Sequence, residues 1–487
     1  MFIRDLAASC LDGGAVLHDR AGAAVPRETI RSEYRAIKGF LFDHAGEGDI
    51  AAIRLEHGYR YVLCVCACME VGLTYLPLNV GWPQARIDQI KRLAGFSLLI
   101  DESSIERICR HENRRSRESF GLEGSKPLYV ICTSGSTGEP KGVVVARSSY
   151  EEFLRWLAAF SAASGGDERV LLMADFTFDQ SLCDVGSFLL KRCALYFSRF
   201  GGDAFRLARE IESHRISSLA TVPRNIGLLL HETVRRKADL SSLRRLLIGG
   251  ERFPVELHES LFRALPAGAA AYNCYGPTET TIFSHIKRLT GIAERDMSDG
   301  HVSVGRPLPG VRCRLAASGG VELAAPGARA ELLLGGAQVM LGYAGDPEGT
   351  SRRVTEIGGV RFFRSGDIAF RDGDGQYYIT GRTDLTLKRR GYRIDLSDID
   401  SYIRRIPFVA ECATIAVPDD RFEHLLICSV VARRPVAEKE LRAEMAKVLV
   451  DFQIPDRVEF VDRLPVNEAG KISRKILEED FRRKARR

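Results

Sequence analysis

Long apolar runs are missing from this sequence. The most hydrophobic stretch, around residues 61–78, is broken by Glu70 and Gly72 and is too polar to span a membrane. The opening "MFIRDLAASCLDGG" carries Asp5 early and has no extended apolar core, so it does not read as a secretory signal. A surplus of one charge is missing too. The 70 Lys and Arg residues against 64 Asp and Glu leave +6, which gives no argument for nucleic acid. The closing "FRRKARR" is basic and reads either as a solvated tail or as a patch for an acidic partner. The twelve cysteines show no metal spacing. Cys64, Cys66 and Cys68 alternate in "LCVCACME" without forming a zinc knuckle, as expected of a reduced protein that uses Cys as a small apolar side chain. No internal repeat is visible. These absences predict a cytoplasmic location, with no membrane and no nucleic-acid partner.

What is present is length and alternation. A chain of 487 residues exceeds a single core, so two or more folding units are expected. "AFRLAREIESHR" has helical periodicity, "ISSLATV" after it reads as a strand, and "LSSLRRLLIGG" ends in a strand and a Gly pair. This rhythm over most of the first 380 residues predicts α/β architecture with two parallel-type subdomains. From about 300 to 380 the texture becomes short strands with Gly and Asp turns, which predicts a β-rich, barrel-like subdomain. After "GRTD" the chain returns to compact α+β. The expected division is a core over 1–383 and a small mobile domain over 384–487.

The most specific string is "CTSGSTGEPKGVV", residues 132–144, which follows the apolar "LYVI". Backbone N–H groups in a Gly-rich turn form a concave nest for phosphate oxygens, and Ser and Thr hydroxyls add donors. The spacing is not that of a Walker A loop, because Lys141 is preceded by Pro140 and followed by Gly142. With "RSEYRAI" at 31–37, "TYLPLNVGWPQARI" from Thr74, "FDQS" at 178–181, "GGE" at 249–251, "NCYGPTET" at 273–280, "FRSGD" ending at Asp367, "GRTDLTLKRRGYRIDL" at 381–396 and "LPVNEAGKISRKIL" at 464–477, the chain resembles the adenylate-forming superfamily. That superfamily includes nonribosomal-peptide-synthetase adenylation domains, D-alanine–carrier protein ligases, acyl- and aryl-CoA ligases and luciferases. Asn79 and Val80 stand where the family usually has Asp-Pro.

The resemblance implies attack of a carboxylate on the α-phosphorus of ATP, giving an acyl-adenylate and pyrophosphate, then capture of the acyl group by a thiol. Two anions must meet, so cations and donors are needed. Thr133, Ser134, Gly135, Ser136, Thr137, Gly138 and Lys141 would hold the phosphates, with Thr278 near the α-phosphate. Glu279 would ligate Mg²⁺, the implied metal. Adenine and ribose would meet Gly249, Gly250, Glu251, Asn273, Tyr275, Asp367 and Arg382. Lys471 would be the catalytic lysine, bridging the substrate carboxylate and ribose oxygens. Asp384 would be the hinge about which the small domain turns between half-reactions. Arg389 adds a positive charge to the block after the hinge, which either helps an acidic carrier protein dock or has no role.

Asp179 in "FDQS" matches the family position that pairs with a substrate ammonium, which marks amino-acid-activating members. The bland alternative is a cap for the helix that follows. Further pocket positions by block alignment are Gln180, Cys183, Thr221, Leu246, Ile248, Cys274, Gly276, Ile282 and Phe283. None carries an obvious countercharge, so a small or medium neutral amino acid is expected. The carrier that receives it is expected to be a separate phosphopantetheinylated protein. The rival readings are an acyl- or aryl-CoA ligase and a non-catalytic nucleotide-binding protein.

Overall fold

The computed structural model describes residues 3–12, 16–110, 123–133, 140–162, 168–191, 193–290, 297–298, 301–316, 327–383, 386–389, 392–419, 423–465 and 472–485. The chain divides into two compact units. The larger comprises Met1–Val80, Ala94–Ile131 and Gly142–Thr383, and the smaller Gly81–Leu93, Cys132–Lys141 and Asp384–Arg487. No described helix is long and apolar enough to cross a membrane.

The larger unit is built on an eight-stranded sheet. Its order is Val16–Leu17, Ala194–Phe197, Arg169–Leu172, Ser218–Thr221, Arg245–Gly249, Ala270–Tyr275, His285–Leu289 and Arg306–Pro307. The first six strands run parallel, His285–Leu289 runs antiparallel to them, and Arg306–Pro307 pairs antiparallel with His285–Leu289. Helices cover both faces, so a central strand such as "RLLIG" is buried throughout and reads as one apolar run. On one face Leu247, Ala220 and Cys274 join a core with Cys183 and Phe283. On the other, Leu246 and Ile248 pack with Leu219, Ala271 and Ile226. The helices start where local chemistry permits. Asp203 caps Ala204–His214 by accepting from the N–H groups of Phe205 and Arg206, and Pro223 opens Pro223–Arg236.

A second, six-stranded sheet has the order Gly342–Tyr343, Lys141–Ala146, Pro127–Thr133, Thr74–Pro77, Ile50–Arg54 and Leu98–Asp101. The residues after 300 differ from the barrel-like expectation. Arg312–Ala316, Ala330–Gly335, Val360–Arg371, Val354–Ile357 and Tyr377–Arg382 form an open antiparallel sheet. Val360–Arg371 pairs with Val354–Ile357 along its first half and with Tyr377–Arg382 along its second, and no described pairing joins Arg312–Ala316 back to either, so the described sheet is open.

The smaller unit contains a three-stranded sheet, Val409–Asp419, Glu423–Ala432 and Arg457–Phe460, and a hairpin of Thr386–Arg389 and Tyr392–Asp395. Ile394, Ile399, Ile403, Leu426 and Leu441 form its core. Arg389 is fully buried within it. Its Nη1 donates to the carbonyl of Phe452 (2.9 Å) and its Nη2 is paired with Asp456. The docking role considered for Arg389 is therefore corrected: its charge is spent inside the fold.

Candidate active site

Tyr275 ends one strand and His285 begins the next, paired antiparallel, so residues 276–284 form the loop of a hairpin. The loop is bent tightly. A Cβ at Gly276 would collide with the carbonyl of Ile282, and Ser284 N–H donates to the Tyr275 carbonyl (2.8 Å). Within the loop Thr281 (φ 58°) and Ile282 (φ 70°) both lie in the left-handed region. For two β-branched residues that conformation costs about 1–3 kcal/mol each.

This loop places two of the expected site residues. Glu279 is 1% exposed, and the Tyr343 hydroxyl donates to its Oε1 (2.9 Å). The main-chain N–H of Ile282 donates to Oδ2 of buried Asp179 (3.1 Å), 103 residues away in sequence. Thr278, half-buried, begins a short turn after Pro277. Among the described residues no three His, Cys, Asp or Glu side chains cluster as metal ligands. A single carboxylate at Glu279 fits a cation that takes its other oxygens from nucleotide phosphates and water, as Mg²⁺ does.

Asp179 precedes the helix Ser181–Lys191, and its carbonyl accepts from the Leu182 N–H (2.9 Å). Gln180 next to it donates from Nε2 to the Thr221 carbonyl (3.3 Å), and the Thr221 hydroxyl accepts from Asn225 (3.0 Å). Cys183, Cys274 and Phe283 share one core, and burial pushes both thiols above their ordinary value, so they act as apolar walls. Gly249 belongs to the same wall. A Cβ there would lie 2.7 Å from the Cys274 carbonyl oxygen and 3.3 Å from the Phe283 ring. Leu246 and Ile248 require correction, because both point into the opposite core. The alternation of the strand Arg245–Gly249 instead presents Leu247 and Gly249 to the core that holds Cys183 and Phe283.

The residues expected to meet the nucleoside are placed as compactly. Tyr275 and Asp367 are both buried, and the Tyr275 hydroxyl donates to Asp367 Oδ2 (2.6 Å). Burial, and then the neighbouring carboxylate, holds this phenol well above its ordinary value. Arg382 is ion-paired with Asp367 Oδ1 and donates to the Ser365 carbonyl (3.2 Å). Asn273 donates from Nδ2 to the Ser303 carbonyl (2.9 Å), which leaves its amide oxygen as the end suited to an amine. Gly250 sits at φ 91° and Glu251 is buried beside it. His285, fully buried, is pushed down to about 3 and is neutral in the folded protein.

Thr133 ends one strand and Lys141 begins another, both half-buried. Ser134, Gly135, Ser136, Thr137 and Gly138 between them lie outside the described residues, as do Asp384 and Lys471. Asn79, where the family has Asp, donates to Asp175 Oδ2 (2.7 Å). Three residues that the sequence did not single out bear on the site: Leu247, Tyr343 and Gln338. None of the three had a local signal in the sequence: Leu247 sits in a strand buried on both faces, and Gln338 and Tyr343 act on residues far away in the chain.

These features define an AMP-forming ligase. The chain matches the AMP-binding enzyme family over residues 36–344, more than half its length, and the AMP-binding enzyme C-terminal domain over residues 398–471. It belongs to that family, the adenylate-forming enzymes, which use ATP. It is similar to the D-alanine--D-alanyl carrier protein ligase of Lacticaseibacillus paracasei, 28% identical over 504 residues and covering 95% of each chain. It is also 27% identical to bacitracin synthase 3 of Bacillus licheniformis over 459 residues, which is 91% of this chain but only 7% of that synthase. Among solved structures it superposes on the Vibrio cholerae adenylation domain AlmE, in complex with glycyl-adenosine-5′-phosphate. The TM-score is 0.82 at 21% identity, over 98% of this chain and 97% of that one.

Proposed function

We propose that the chain activates an amino acid as its aminoacyl-AMP and passes the acyl group to the phosphopantetheine thiol of a separate carrier protein. The observation that carries this reading is Asp179, a buried carboxylate held by the hairpin loop that also carries Glu279. A buried carboxylate is costly without a donor or cation, and a substrate ammonium supplies both. Similarity to a D-alanine--D-alanyl carrier protein ligase along both chains supports an amino acid and a separate carrier.

In the first step a substrate carboxylate oxygen attacks the α-phosphorus, the bond to the β-phosphate oxygen breaks, and pyrophosphate leaves. Asp179 orients the substrate through its ammonium, and Asp367 with Asn273 and Tyr275 orients the nucleoside. Thr133, Lys141 and the loop between them neutralise the β- and γ-phosphates. Mg²⁺ beside Glu279 would offset phosphate charge. Lys471 brings a cation to the attacking carboxylate, and Asp384 is the pivot that later admits the thiol. In the second step the thiol sulfur attacks the acyl carbonyl and AMP leaves. Cys183, Leu247, Gly249, Cys274 and Phe283 would enclose a small or medium neutral side chain.

The test is pyrophosphate exchange across a panel of proteinogenic amino acids, D-alanine and their amino-free acids. Exchange with amino acids is expected. Exchange with amino-free acids alone would make the chain an acyl- or aryl-CoA ligase, and none at all would make it a nucleotide-binding protein.

A further inference from the structure

We infer that Gln338 is a positioning residue, which clamps the strained hairpin loop so that the Ile282 N–H holds Asp179 in its ammonium-receiving pose. The inference rests on the reading of Asp179 given above. Gln338 lies in "GGAQVMLGY", outside every motif used to recognise the chain, and is 4% exposed. Its Nε2 faces three main-chain carbonyls at once: Thr280 (3.2 Å), Thr281 (3.1 Å) and Phe283 (3.0 Å). Two N–H bonds cover three acceptors, so one is shared. The opposite amide orientation would set an oxygen against three oxygens, which fixes the assignment. The grip is reciprocal, since the Thr281 hydroxyl donates to the Gln338 carbonyl (2.7 Å). The same segment holds Glu279, through Met340 N–H to its carbonyl (2.8 Å) and through Tyr343 to its carboxylate.

The bonds are placed where the backbone is least willing. Thr281 and Ile282 are held at positive φ between the carbonyls that Gln338 grips. Without the clamp both residues have more comfortable conformations, and any of them turns the peptide that carries the Ile282 N–H. That N–H donates to Asp179 and so ties the carboxylate to the loop. A backbone strain sustained by surrounding contacts beside a ligand-receiving group is the pattern by which proteins keep a site preorganised.

The test combines two readouts on Gln338→Leu. In hydrogen–deuterium exchange, the peptide covering 280–284 is expected to exchange faster than in the wild type. In pyrophosphate exchange the probe is whichever of the twenty proteinogenic amino acids or D-alanine gives the wild type its highest rate. Its KM is expected to rise about tenfold while the ATP KM stays within about twofold. In Gln338→Leu/Asp179→Asn the amino-acid KM should match that of Asp179→Asn alone, because both act at one contact. Adding Thr281→Gly to Gln338→Leu should recover much of the loss, since glycine adopts positive φ without strain. A merely structural role would not give that rescue. Should Gln338→Leu fail to fold, Gln338→Asn, too short to reach all three carbonyls, carries the same readouts. Unchanged exchange at 280–284, an unchanged amino-acid KM, or full additivity with Asp179→Asn overturns the clamp. An Asp179→Asn variant with wild-type amino-acid KM overturns the Asp179 reading instead.

Discussion

Asp179 and Asp367 are both buried carboxylates beside turns, and the fold holds them by opposite means. Asp367 receives two side chains, the Arg382 guanidinium on one oxygen and the Tyr275 hydroxyl on the other. Its charge is answered within the protein, by a partner only 15 residues away in sequence. Asp179 receives a main-chain N–H from a strained loop 103 residues away. The first carboxylate depends on a charge and the second on a shape. On the proposed reading, changes around Asp367 should therefore show as lost stability and lost ATP affinity. Changes around Asp179 should show as small displacements that leave the fold intact.

Lys471, proposed to meet the attacking carboxylate, sets the scale for the comparison. Lys471→Ala is expected to lower adenylate formation about 10²–10³-fold or more while ATP binding by equilibrium dialysis changes little. An equal loss of ATP affinity would make the residue a binding group. Next in size, Arg382→Leu strands Asp367 without its cation. A loss of roughly 3–5 kcal/mol in denaturant unfolding is expected, with a raised ATP KM and an unchanged amino-acid KM. Smaller again is the test of which strand face lines the pocket. Leu247→Ala should broaden the range of amino acids accepted in pyrophosphate exchange. Ile248→Ala should cost about 2–4 kcal/mol of stability and leave that range alone. The reverse pattern would restore Leu246 and Ile248 to the pocket.

The smallest effect concerns pH. His285 is neutral and fully buried, held down to about 3 from 6.5. Between those values the unfolded chain binds a proton that the folded chain does not. Its contribution to stability is therefore whole above about pH 6.5 and declines as pH falls toward about 3. His285→Gln should flatten the fall in melting temperature between pH 6.5 and 4.5. An unflattened curve would show that other groups govern acid sensitivity.

The order of motifs was legible because each is local: a Gly-rich loop of Ser and Thr, an Asp before a helix and a Tyr-Gly-Pro-Thr-Glu turn each show their pattern within ten residues. What was hidden is hidden for physical reasons. A strand buried on both sides loses the alternation that would tell its faces apart, so "RLLIG" could not say that Leu247 rather than Leu246 meets Cys183. Gln338 and Tyr343 act on residues 55 to 64 positions away, and no periodicity or motif spans that gap. Arg389 looked like a surface charge because its partner Asp456 arrives from 67 residues on. The barrel-like texture of 300–380 came from the frequency of turns, which does not reveal that one long strand serves two partners.

The most direct measurement is the ratio of kcat/KM for the preferred amino acid to that for its amino-free analogue, in the wild type and in Asp179→Asn. The wild type is expected to favour the amine by about 10²-fold or more, and the variant to bring the ratio near one with ATP KM unchanged. A ratio that survives the substitution would mean that the ammonium is read somewhere else.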